Sequence, residues 1–164
     1  LSARIFLDKR AIILYYYTRQ TRDEAQLADE KMKLTTRSEY CILGLIHLAR
    51  QKNKNFVKIE EICTQHDIPR KYLEQLFLIL KQNHYLKTRR GAEGGYTLAK
   101  PAAEITVAEI VRLMDGALAP TESASRYFFS HTPLEKEKKL MKVFKQIRDY
   151  IAQRLETLTL ADLV

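Results

Sequence analysis

Between positions 68 and 98 the chain reads Ile-Pro-Arg-Lys-Tyr-Leu-Glu-Gln-Leu-Phe and, a few residues on, Arg-Arg-Gly-Ala-Glu-Gly-Gly-Tyr-Thr-Leu. Few folds accommodate that order. Asp67-Ile-Pro69 makes a turn, because proline has no amide proton to give and is tolerated only at the start of a helix. A helix therefore begins here, with Tyr72, Leu73, Leu76, Phe77 and Leu80 recurring near the 3.6-residue period as one apolar face. Arg70, Lys71, Glu74, Gln75 and Leu78 are left pointing outward. Tyr85 to Arg90 and Tyr96 to Leu98 then flank Gly91-Ala-Glu-Gly-Gly95, whose glycines supply the positive backbone angles of a hairpin loop. A polar-faced helix followed at once by a basic hairpin is the arrangement of a winged helix-turn-helix. In it the helix can lie in a major groove while the hairpin reaches the flanking backbone or minor groove.

The surrounding segments complete such a domain. Thr36-Arg-Ser-Glu39 reads as a capping box that opens a helix carrying Tyr40, Leu43, Ile46, Leu48 and Ala49, ended by the polar stretch 53–55. Ile59, Ile62 and Cys63 mark a second, short helix. Thr106-Val-Ala-Glu109 is another capping box, and Ile110, Val111 and Met114 continue a helix that stops at Gly116. Residues 117–131, rich in Ala, Ser, Thr and Pro, read as a connecting loop. A third capping signature, Thr132-Pro-Leu-Glu135, then opens a long helix on which Leu140, Phe144, Ile147, Ile151, Leu155 and Leu158 fall three and four residues apart. At 1.5 Å per residue such a helix is roughly 39 Å long, too long for a small winged domain to cover. Its stripe is expected to pack on a second copy of itself, with folding back on its own chain as the alternative.

The expected class is mainly α with a small β-hairpin. It comprises an N-terminal extension of uncertain role (1–31), a winged helix-turn-helix domain (32–100), a connecting helix and loop (101–131), and a dimerisation helix with a C-terminal tail (132–164). The distribution of charge agrees with this division. Of the net charge of +8, residues 32–100 hold 13 Lys and Arg against 6 Asp and Glu, a surplus of +7, whereas residues 101–164 balance at 9 against 9. Positive charge concentrated on the helix and hairpin is the footprint of phosphate binding. A solvated basic face is the plainer alternative. Two cysteines, Cys41 and Cys63, are too few for a disulfide scaffold and sit in apolar stretches as reduced core thiols. With neither an export signal nor an apolar run of membrane-spanning length, a cytoplasmic protein is expected.

Four blocks carry a resemblance to a known family: Met-Lys-Leu-Thr-Thr-Arg-Ser-Glu-Tyr (32–40), Tyr-Leu-Glu-Gln-Leu-Phe (72–77), Arg-Arg-Gly-Ala-Glu-Gly-Gly-Tyr (89–96) and Glu-Ile-Thr-Val-Ala-Glu-Ile-Val (104–111). In this order they resemble the Rrf2 family of bacterial winged-helix regulators, over a span from Met32 to Leu163. The resemblance implies a homodimeric transcription factor that binds double-stranded DNA through its third helix and wing and dimerises through its long last helix. It puts Lys71, Glu74 and Gln75 at the sequence-reading surface and Arg90 in the wing; Arg70, Arg89, Thr35 and Arg37 complete the residues expected to contact DNA. The chemistry of these side chains is compatible. Glu74 can accept from a cytosine amino group, Gln75 can bond an adenine edge bidentately, and Arg90 can enter a narrowed minor groove. Glu74 can equally pair with Arg70 one turn away.

This sequence departs from the family pattern in one respect. Many members hold an iron-sulfur cluster through three cysteines in the loop before the long helix, and residues 117–131 contain none. A lone His131 with Glu122 is a poor substitute for thiolates, so no cofactor is expected. The input then falls to a partner protein, as the family's cysteine-metabolism repressors imply, or to a small effector near Tyr127-Phe-Phe129. The competing function is a winged-helix interaction module that reports metabolite status through a partner enzyme, with weak or no DNA selectivity. An enzyme is not expected. The loop 91–95 lacks the Lys-Ser or Lys-Thr of a phosphate cradle, and His47, His66, His84 and His131 show no metal spacing.

Overall fold

The computed structural model describes residues 34–51 and 55–164. The N-terminal extension expected over residues 1–31 lies outside them. Five helices and one hairpin follow in order: α1 (Thr36–Ala49), α2 (Ile59–His66), α3 (Arg70–Gln82), β1 (Leu86–Arg89), β2 (Gly95–Leu98), α4 (Val107–Asp115) and α5 (Lys138–Thr157). This is the mainly helical winged-helix architecture that the sequence predicts.

The helix-turn-helix forms where proline and charge patterning require it. α2 ends at Asp67, which takes a left-handed conformation (φ 52°), and Pro69 caps α3 with a fixed φ of −59°. Leu73, Leu76, Phe77 and Leu80 of α3 are buried against Cys41, Leu45 and Leu48 of α1, Ile62 of α2, Leu86 of β1 and Ile110 of α4. Each such side chain contributes roughly 1.5–3 kcal/mol relative to exposure. The buried stripe of α1 is rotated from the predicted one: Cys41, Leu45 and Leu48 point to the core, while Tyr40, Leu43 and Ile46 flank it half-buried. Gly44 explains the rotation. A Cβ there would lie 2.7 Å from the Phe77 ring, so α1 and α3 cross where α1 has no side chain.

The hairpin is antiparallel, pairing Leu86 with Leu98 and Arg89 with Gly95. Val57 adds a short third rung through bonds to Tyr96 (Val57 N to Tyr96 O 2.9 Å, Tyr96 N to Val57 O 2.8 Å). Gly95 makes this possible, since at φ +152° its missing Cβ would sit 2.3 Å from the Val57 carbonyl oxygen. Between α1 and α2 the fold joins two histidines that lie 19 positions apart. His47 is buried, with Nδ1 3.3 Å from His66 Nε2 and Nε2 3.3 Å from Glu61 Oε1.

Two helix starts differ from expectation. The cap of α1 is Thr35, whose hydroxyl accepts from the Arg37 amide, rather than a box built on Thr36. The Thr132–Glu135 box is made, but it caps a single 3-10 turn (Pro133–Lys136), and α5 begins only at Lys138. Its 20 residues span about 30 Å, shorter than the 39 Å expected.

The segment 117–131 is also more ordered than a plain connector. A 3-10 turn at Glu122–Ala124 buries Ser123 and Ala124. Arg148 of α5 donates to the Ala124 carbonyl at 2.6 Å. Beyond α5 the chain returns to the winged core. Leu160 is fully buried, and its amide bonds the Ile105 carbonyl at 2.9 Å.

Candidate nucleic-acid interface

α3 and the hairpin enclose an open cleft of about 710 Å³. Its walls carry Lys58, Arg70, Lys81, Arg89 and Arg90 against Glu60 and Glu74, over a floor that includes Ile59 and Phe77. The edge of Phe77 meets the Tyr96 ring at 5.0 Å between centroids, fixing the hairpin to the base of α3. Helix and wing are thus held as one surface by aromatic packing and by the Val57 rung.

Each sequence-predicted residue has a definite place on this surface. Lys71 and Gln75 are exposed on the outward face of α3 with no side-chain bond among the described residues. Arg70 and Glu74 are also on α3 but engage each other: Arg70 Nε donates to Glu74 Oε1 at 2.8 Å, and its Nη1 lies 2.8 Å from Glu60 Oε1. The pairing weighed from spacing is therefore formed, and it leaves Arg70 between two carboxylates, with its guanidinium held still more firmly protonated by the Glu74 bond. Such exposed pairs contribute little to stability. They do fix where the guanidinium and carboxylate point.

The two wing arginines differ in kind. Arg89 folds back on the hairpin, donating to the Glu93 carbonyl from Nε at 3.1 Å and from Nη2 at 2.6 Å, with its guanidinium 4.6 Å from the Phe56 ring centroid. It shapes the wing. Arg90 is exposed, with no hydrogen bond or ion pair among the described residues. Sequence reading singles out Arg90 for the minor groove but does not find the role of Arg89, because its partner is a backbone carbonyl that no side-chain pattern reveals.

Thr35 and Arg37 lie exposed at the start of α1. The Thr35 amide donates to Asp115 Oδ2 at 3.0 Å and its hydroxyl to Asp115 Oδ1. Asp115 ends α4, so it ties the first turn of α1 to the root of the 117–131 segment. Sequence reasoning missed this contact, which spans 80 positions.

Of the residues expected to dimerise, Leu158 lies just past the end of α5 in extended backbone, and the set divides by exposure. Leu140 is exposed, and Phe144, Ile147, Ile151, Leu155 and Leu158 are half-buried, whereas Met141 and Ala152 face α4 and the 122–124 turn. Arg112 of α4 pairs with Glu156 of α5 and stands 5.1 Å from the Tyr127 ring centroid. Tyr127, Phe128 and Phe129 themselves remain exposed.

The side chains present do not fit an iron site. Cys41 is fully buried, its thiol pushed up to about 12, chiefly by burial, and so kept from the thiolate form that binds metal. Cys63 lies on α2, its thiol also raised by burial. His131 is exposed beside Glu135 at 3.1 Å. Among the described residues no three His, Cys, Asp or Glu side chains converge to hold a metal.

A helix-turn-helix with a fastened, cationic wing defines a DNA-binding regulator of the winged-helix class. The profile of the Rrf2 family, described as iron-dependent transcriptional regulators, matches residues 34–164, and the chain belongs to that family. The HTH-type transcriptional regulator CymR of Bacillus subtilis is 30% identical over 132 residues, covering 80% of this chain and 89% of CymR. The solved structure of CymR, the global cysteine regulator of B. subtilis, superposes with a TM-score of 0.64 at 27% identity, over 80% of this chain and 95% of that one. That of T. potens IscR superposes with a TM-score of 0.58 at 29% identity, over 80% and 85%. The family and CymR are transcriptional regulators, not enzymes.

Proposed function

We propose that this chain is a sequence-specific repressor that binds palindromic promoter sites as a homodimer, in the cytoplasm where the chromosome is. The observation that carries the reading is the cationic cleft between α3 and the wing, which Arg90 lines, with Lys71 and Gln75 exposed on the adjoining outward face of α3. In this reading a strand of the duplex passes between helix and wing. α3 then offers Gln75, Lys71 and the Arg70-oriented Glu74 to base edges, while Arg90 meets the flanking minor groove. Arg37 fits a backbone contact beside the start of α1, where the Thr35 amide and hydroxyl are already given to Asp115.

Dimerisation is supported by the stripe Leu140, Phe144, Ile147, Ile151 and Leu155, which its own chain leaves partly uncovered. Two such helices packed together set two α3 helices for successive major grooves, which is what a palindrome matches. Repression follows most simply, because a dimer across a promoter blocks access without further machinery. No cofactor takes part in this reading, given the donor set, and the input enters through a partner protein or small effector at the exposed Tyr127–Phe129 segment. The test is selection of genomic fragments by the full chain, followed by titration against salt. A regulator enriches palindromes and loses affinity steeply as salt rises. Equal binding to all fragments supports the interaction module instead.

A further inference from the structure

We infer that Leu78 reads a thymine, packing its side chain on the C5 methyl group of one base in each half-site. The inference rests on the DNA-binding reading above and adds a contact to it. Leu78 is 54% exposed. It is the one large apolar residue among the described residues that both lines the cleft between α3 and the wing and is exposed there. The core makes no use of it, since Leu73, Leu76, Phe77 and Leu80 already fill the inner face of α3.

Its helical position puts it with the readers. Leu78 follows Gln75 by three residues and Lys71 by seven, the spacing of one helix face. An exposed leucine is ordinary by itself. One standing in a cationic cleft, in line with base-reading side chains, is placed for a specific partner. The major groove offers a single apolar marker, the thymine methyl. Three residues of helix advance about 4.5 Å, against about 3.4 Å per base pair. Leu78 therefore falls over a base pair next to the one Gln75 meets. The cleft also receives the backbone strand that passes between helix and wing, and a thymine methyl projects toward its own strand.

The experiment is a double substitution across the interface. Each thymine of the selected operator is replaced in turn by deoxyuridine, which removes only the methyl group, and the full chain and its Leu78→Ala variant are titrated by fluorescence anisotropy. The unaltered chain is expected to lose about fourfold per half-site at one thymine, the factor for one buried methyl group. Leu78→Ala is expected to bind the thymine and uracil operators equally, and Leu78→Met to recover the discrimination. If Leu78→Ala still loses as much as the unaltered chain at that thymine, or if no thymine is sensitive, the inference is overturned and Leu78 rests on sugar or solvent. A chain that selects no operator at all overturns the DNA-binding reading instead. Unchanged circular dichroism and melting temperature of the variant, expected from the exposure of Leu78, exclude misfolding as the cause.

Discussion

The two wing arginines allow a sharp test, because charge counting treats Arg89 and Arg90 as equivalent and the structure does not. Arg90→Ala removes a guanidinium with no protein partner among the described residues, so the melting temperature is expected to stay constant. In a dimer the substitution removes one counterion-displacing cation from the minor groove of each half-site. Each is worth about 0.9 in the slope of log affinity against log salt, about 1.8 for the pair. Between 50 and 200 mM salt the variant should therefore lose about tenfold less affinity than the unaltered chain.

Arg89→Lys keeps the charge but loses the fork that holds the Glu93 carbonyl and stacks on Phe56. In this exposed setting the bonds and the cation-π contact together are worth about 1 kcal/mol, or roughly 3–4 °C in melting temperature for a domain of this size. Anisotropy titrations at four salt concentrations and thermal denaturation of both variants read the two effects separately. An unchanged salt slope in Arg90→Ala, or an Arg89→Lys variant that melts with the unaltered chain, would refute the division of roles.

Further outcomes follow from other parts of the structure. Gly95→Ala drives a Cβ into the Val57 carbonyl and breaks the two bonds that anchor the wing, so denaturant unfolding should show a loss of about 3 kcal/mol; an unaltered midpoint would show that the rung does not form. Gln75→Ala is expected to lose about 1–3 kcal/mol at a single base position of each half-site, and a uniform loss over all sequences would reduce Gln75 to positioning. Leu160→Ala opens a cavity in the core and should destabilise by about 2–5 kcal/mol, measured by denaturation, whereas a neutral result would detach the tail from the winged domain. The His66 imidazole is held below its ordinary pKa, first by burial, then by His47 and Arg50. Its neutral form is the one that folds best, so stability present above about pH 6.5 should decline as pH falls below that value, and His66→Gln should flatten melting curves taken from pH 7.5 to 5.5.

How much of this was readable in the sequence depended on whether the deciding interaction was local. The turn at Asp67–Pro69, the inner face of α3, the glycine-tipped hairpin and the Thr106–Glu109 box all follow from residues within one or two turns of each other, and they stand where periodicity and backbone chemistry put them. The start of α5 did not, although its capping box is real: Glu135 accepts from the Thr132 amide and Pro133 has no amide to satisfy, but Glu137 (φ −88°, ψ 72°) interrupts the backbone before Lys138. A capping signature fixes where helical bonding begins, not how far it runs. The cap of α1 shifted by one residue for a tertiary reason, since Asp115 grips Thr35 through both amide and hydroxyl.

The candidate site divides along the same line. Helix phase puts Lys71 and Gln75 on the outer face of α3 and the resemblance puts Arg90 in the wing, and all three are without a side-chain partner among the described residues. Arg70, Glu74 and Arg89 look identical to them in a sequence, and only the fold shows two of them locked together beside Glu60 and the third turned onto Glu93 and Phe56. Charge along the chain thus marks the helix and hairpin as the basic part of the molecule. It assigns roles within that part poorly, since a guanidinium already held by its own protein and one with no partner among the described residues contribute equally to the count.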